Sequence, residues 1–218
     1  MERVRLPEYV IEAANCPPLS FYMQDPSPGA ETVSVVIGLL RQRVMAAKCS
    51  LDPTLRDVRT LSHSAVFLIL NSIEDAPLTV QARYLNTVLL ALHLFISYAM
   101  SEHFRWSTTV LQCILRRLKS SIDGGYVDSK IWETQKPVIL WVLFVGAVTA
   151  GEHPLDDTAW FLPRLQFVRD IVAYRTRAQF EMSLRSMVWD EKFGASLLDS
   201  WWDDGAVFDA DTSPNFLP

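Results

Sequence analysis

Residues 137–151 read PVILWVLFVGAVTAG, the longest uncharged apolar run in the chain, bounded by Lys136 and Glu152. A helix that is apolar all round must be buried all round, in a protein core or in a bilayer. Crossing a bilayer takes about 20 apolar residues, and this run is too short. The pattern therefore predicts the buried central helix of an all-α domain. Pro137 suits a first helical turn, where its missing N–H is not needed. Gly151 suits a C-terminal stop.

A central helix needs other helices to cover it, and apolar spacing supplies them. One is predicted over Ala30–Lys48, with Val36, Leu39, Leu40 and Val44 on the core face and Arg41 and Arg43 off it. Asp52-Pro53 is a helix start. It opens a segment over Pro53–Glu74 whose stripe is Leu55, Val58, Leu61, Ala65, Leu68 and Ile69. A third helix is predicted over Leu78–Ser101. Its second half is nearly all apolar, which makes it central as well. A fourth is predicted over Phe104–Ser121, with Trp106, Val110, Cys113, Ile114 and Leu118 inward and Arg116, Arg117 and Lys119 in the last turn. Asp123-Gly124-Gly125 reads as the turn that ends it. After the central helix come segments over Thr158–Tyr174, Arg177–Met187 and Asp190–Trp202. The expected fold is an irregular all-α bundle of about eight helices around a buried central one.

Three parts follow from this pattern. Residues 1–29 form a Pro-rich leader arm, with Leu6, Tyr9, Val10, Ile11, Phe21 and Tyr22 available for packing. Residues 30–203 form the domain, and residues 204–218 form an acidic tail. The leader has no continuous apolar segment of the kind a secretory signal carries. No stretch is long enough for a membrane span.

The chain carries a net charge of −5 from 20 basic and 25 acidic residues. Nucleic-acid affinity rests largely on neutralising phosphates with Lys and Arg, so no direct grip on nucleic acid is expected. Cys16, Cys49 and Cys113 are far apart and odd in number, without a CxxC pair. They suggest reduced thiols and neither a zinc site nor a disulfide framework.

No catalytic constellation emerges. The four histidines, His63, His93, His103 and His153, include no HExxH spacing. There is no GxSxG elbow, GxGxxG turn or Walker loop. His93 lies within an apolar helix and reads as a hydrogen-bonded core histidine. Asp156-Asp157 and Asp203-Asp204 invite comparison with Mg²⁺-binding aspartates, but the first pair lacks the DDxxD spacing and the second lies at the tail. Capping and solvation account for both. Cys16 sits beside Pro17-Pro18 with no local base. No catalytic, cofactor-binding or metal-binding residue is assigned, and the protein is read as a non-enzyme.

The acidic end offers binding chemistry instead. Trp201, Trp202 and Phe208 alternate with Asp199, Asp203, Asp204, Asp209 and Asp211. Such interleaving keeps apolar side chains available to a partner, which makes these three aromatics the candidate protein-contact residues. The simpler alternative is that Trp201 and Trp202 finish the last helix against the core.

LWVLFVGAVTA (Leu140–Ala150), a short polar loop and WFLPRL (Trp160–Leu165) resemble the C-terminal regulatory domain of fungal Zn(II)2Cys6 transcription factors. Met187-Val188-Trp189-Asp190 and Leu198–Trp202 are similar to that family's later segments in order and spacing. The three scattered cysteines cannot form the six-cysteine zinc cluster through which the family binds DNA. The resemblance thus implies an effector half only: a nuclear, and also cytoplasmic, regulatory module without its own DNA-binding domain. It implies protein partners such as a DNA-binding transcription factor or a second copy of the chain, and leaves room for a small-molecule effector. The alternative is a small helical enzyme or hydrophobic-ligand-binding protein of secondary metabolism, whose aromatic interior would line an apolar pocket.

Overall fold

The computed structural model describes residues 28–48, 55–73, 79–99, 106–125, 136–152, 158–172 and 174–203. Eight α-helices and no strands are present among the described residues. They are α1 (Pro28–Lys48), α2 (Leu55–Ser72), α3 (Val80–Ala99), α4 (Thr108–Gly125), α5 (Lys136–Glu152), α6 (Thr158–Val172), α7 (Arg177–Arg185) and α8 (Ala195–Asp203). The fold is an all-α multi-helix bundle, as the sequence predicts.

The apolar run is α5, and every residue from Val138 to Ala150 is buried. Helices α3, α4, α6 and α7 pack around it. Helix α3 is the second axis of the bundle. It is buried from Tyr84 through Ser97, and it joins the α1–α2 hairpin to α4 and α5. No described helix is long and apolar enough to cross a membrane.

Two glycines let other elements approach α5 at close range. A Cβ on Gly146 would stand 2.6 and 2.8 Å from two carbons of the Phe161 ring and closer still to a third. The absent side chain is therefore what allows α6 to lie against α5. Gly194, just before α8, has φ +69°, a left-handed conformation open to glycine at little cost. A Cβ there would also meet Val148 and Phe144 at 2.6 and 2.7 Å.

Several boundaries differ from the sequence expectation for identifiable reasons. Helix α8 begins at Ala195 and not at Asp190, because the left-handed turn at Gly194 interrupts any helix coming from Asp190. Gly151 does not end α5; it is an exposed helical residue, with open space where its Cβ would be. Helix α4 continues through the predicted turn to Gly125. Burial of Leu118 and Ile122 favours the extra helical turn and outweighs the poor helix propensity of the glycines. Arg116, Arg117 and Lys119 therefore lie in mid-helix. The core face of α4 is also rotated. Leu111, Ile114, Leu115, Leu118 and Ile122 are buried, whereas Val110 and Cys113 are exposed.

The largest correction concerns α1. Arg41 and Arg43, expected off the core face, are only 8% and 7% exposed. Arg43 Nε donates to Ser62 Oγ at 3.1 Å, tying α1 to α2. Arg41 donates through Nε to the Met187 carbonyl at 2.7 Å and through Nη2 to the Ser186 carbonyl. Ser186 caps the C-terminal end of α7, where carbonyls lack helical partners and partial negative charge collects. That site meets the needs of a buried guanidinium.

Candidate functional site

The aromatic residues singled out near the C-terminus are the natural place to look for a contact surface. Phe180 on α7 is fully buried and forms its hub. Its ring lies 6.1 Å from Phe144 on α5, 5.9 Å from Tyr174, 5.1 Å from Trp201 and 5.7 Å from Trp202. Mostly edge-to-face geometry of this kind is favourable for aromatic pairs. The two indoles of α8 are thus carried on a cluster that reaches the central helix.

Trp201 and Trp202 are half-buried, with one side of the pair in the cluster and the remainder accessible. Their rings are 5.9 Å apart and nearly perpendicular. Leu198, one turn earlier on α8, is buried and anchors the helix. The Arg169 guanidinium of α6 lies 4.9 Å from the Trp201 ring centroid and 6.0 Å from that of Trp202. These are cation–π distances. Asp170 holds the same guanidinium at 2.9 Å.

A line of charge runs beside the indoles. Arg177 on α7 bridges Glu181 and Asp199, each at 2.7 Å. Its guanidinium pKa is raised by the Glu181 hydrogen bond first and the Asp199 bond second. Arg185 extends the line to Glu181 at 3.9 Å and to Glu191 at 3.7 Å. Aromatic anchors with a polar, charged margin have the composition of a protein-contact patch.

Phe208, the third aromatic of the predicted set, lies outside the described residues, as do Asp156, Asp157, Asp204, Cys16 and Cys49. Asp203 ends α8. Cys113 is exposed on α4. Among the described residues no group of three or more His, Cys, Asp or Glu side chains is placed to hold a metal ion.

Among the described residues, His93 is buried on α3, as expected, but its Nε2 has no hydrogen-bond partner. Its ring meets Trp106 edge-on at 5.2 Å, and Trp106 Nε1 is likewise buried without a partner. Burial pushes the imidazole pKa down from 6.5 to about 4, so it is neutral at pH 7. The apolar character of its surroundings was visible in sequence; the missing hydrogen bond was not.

Arg169, like Phe180 and Arg177, is a residue of this surface that the sequence reading missed. It is separated from Trp201 by 32 positions, so no local spacing reveals the stack, and its place near the end of α6 is the only hint. No protein-family model matches the chain, and no curated protein or solved structure is significantly similar to it.

Proposed function

We propose that the protein is a fungal transcription-factor-like regulatory module that works through protein contacts. Its partners are proteins of the transcription machinery, among them a DNA-binding transcription factor, and its site of action is the nucleus. The observation that carries this reading is the Trp201–Trp202 pair, half-buried on Phe180 and covered in part by Arg169. Indoles held rigidly at a surface offer large contact area at small entropic cost, and Trp and Arg are the residues most enriched in binding hot spots. The net charge of −5 fits recruitment by another DNA-bound protein better than direct binding to phosphates.

The test is a tethering assay. The full 218-residue chain is fused to an unrelated DNA-binding domain and placed upstream of a reporter in a fungal host. The proposal expects reporter output to differ from that of the DNA-binding domain alone. Unchanged output at equal protein level counts against it.

A further inference from the structure

The outer face of α4 gathers positive charge around a hydroxyl. Arg116 and Arg117 are both exposed, and Ser120, one turn later, is exposed as well. Residues three and four apart on a helix share a face, with Cβ atoms about 5–6 Å apart. Arg116 and Arg117 stand four and three positions before Ser120, so both lie on its side of the helix. Across the α4–α6 contact, Arg164 reaches Asp123 at 3.6 Å. Asp123 is three positions after Ser120, which brings a third guanidinium to the border of the same face. No other exposed serine or threonine among the described residues has arginine at both of these preceding positions.

We propose that Ser120 is a phosphorylation site, modified by a serine/threonine kinase that selects basic residues before the acceptor, and that Arg116 and Arg117 hold the resulting phosphate. The same two residues serve both steps. An acidic substrate groove recognises them by charge before transfer. In transfer the Ser120 Oγ attacks the γ-phosphorus of Mg²⁺-ATP. An Oγ–P bond forms, the bond from that phosphorus to the β,γ-bridging oxygen breaks, ADP leaves, and the hydroxyl proton passes to the kinase's catalytic aspartate. The product then carries nearly two negative charges and three acceptor oxygens beside two guanidiniums, a pairing that orders a phosphate. The Asp123 carboxylate opposes it, but Arg164 offsets that charge.

A kinase groove takes its substrate extended, so the end of α4 has to open. Ser120 lies five residues before that end, and the last two residues are Gly124 and Gly125, poor helix formers. Opening back to Arg116 withdraws Leu118 and Ile122 from the core and parts the Ser121–Thr87 hydroxyl pair. Leu111, Ile114 and Leu115 keep the rest of α4 seated. Helix ends open in this way without global unfolding, and the opening sets the rate of modification. The inference is independent of the Trp201–Trp202 surface and stands or falls without it.

The experiment incubates the full chain with Mg²⁺-ATP and purified calmodulin-dependent or cyclic-AMP-dependent protein kinase, both selective for arginine before the acceptor. Mass spectrometry maps the phosphate. The expected result is incorporation at Ser120 that Ser120→Ala removes and Arg116→Gln/Arg117→Gln slows about tenfold or more. Phosphorus NMR then titrates the phosphate on the folded product. Its second ionisation, at about pH 6 for an unpaired phosphoserine, should fall by about half a pH unit or more and return to that value in phosphorylated Arg116→Gln/Arg117→Gln. No incorporation at Ser120 by either kinase overturns the inference, as does incorporation confined to other residues or indifferent to the arginines. A phosphate at Ser120 with an unshifted ionisation overturns its capture by Arg116 and Arg117. Both arginines are exposed, and circular dichroism checks that helicity is kept. If the double variant does not fold, Arg116→Gln alone decides: an unslowed reaction refutes the reading.

Discussion

The Arg41 guanidinium on α1 holds the main-chain carbonyl of Met187, 146 positions later, at 2.7 Å. The next carbonyl, that of Val188, accepts the indole N–H of Trp141 on α5 at 2.8 Å. With the Ser186 carbonyl also taken by Arg41, three consecutive carbonyls after α7 are held by side chains from two other helices. That segment leads directly into Trp189, the turn at Gly194 and α8. The aromatic surface is therefore positioned by polar bonds inside the core as well as by apolar packing.

Replacing Arg41 with Met removes the donors and leaves buried carbonyls unsatisfied. The expected loss is about 2–4 kcal/mol of folding stability, read as a lower urea midpoint with unchanged slope. Lys in its place keeps the charge but loses the planar fork, and should recover only part of the loss.

Trp141→Phe keeps most of the ring but not the N–H. It should cost about 1–3 kcal/mol through the orphaned Val188 carbonyl. Because Arg41 and Trp141 hold neighbouring carbonyls of one segment, a double-mutant cycle should give a coupling of about 0.5 kcal/mol or more.

Gly146→Ala and Gly38→Ala should move stability in opposite directions. At Gly146 the new methyl runs into the Phe161 ring and forces α5 and α6 apart, at about 1–3 kcal/mol for overpacking. At Gly38, within α1, nothing lies within 4 Å of the added methyl, so the gain in helix propensity of about 0.5–1 kcal/mol is kept. Thermal melts of the two variants give the comparison directly.

His93 makes the fold sensitive to acid. Its folded pKa is about 4 against 6.5 when unfolded. Between those values the unfolded chain binds a proton that the folded one does not, so stability falls as pH drops from 6.5 towards 4. The full loss is on the order of 3 kcal/mol. It is absent above the unfolded pKa and complete below the folded one. His93→Phe should flatten this part of the stability profile relative to wild type, leaving the carboxylate titrations in both.

The parts of this structure that follow from local pattern were legible in the sequence. An apolar run with no polar side must be interior, and α5 is. The periodicity of α1, α3 and α6 likewise located those helices, with Lys48 ending α1 and Thr158 starting α6 as expected. What could not be read were relations fixed by distant partners. Arg41 looks like a surface residue on its own helix, and only the carbonyls after α7 make its burial tolerable. Gly125 looks like a stop until Ile122 is seen to be buried. Gly194 gave no signal distinct from any other glycine, because its left-handed turn is tied to the crowding of Phe144 and Val148. At the candidate site, Trp201 and Trp202 were singled out by composition. Their half-buried state, the Phe180 hub and the Arg169 stack all depend on residues remote in sequence.

The proposal of a contact surface predicts that the indoles matter more for output than for folding. Trp201 and Trp202 still touch Phe180, so their removal will lower stability somewhat. The deciding measurement is tethered reporter output for Trp201→Ala/Trp202→Ala, set beside Gly146→Ala, which disturbs packing at the α5–α6 contact. Protein level and melting temperature are recorded for each. The account predicts that the double Trp variant, folded at the assay temperature, loses the reporter effect, while Gly146→Ala retains it in proportion to its folded fraction. A folded double Trp variant with full output would contradict the central claim and leave the aromatic surface a purely structural feature.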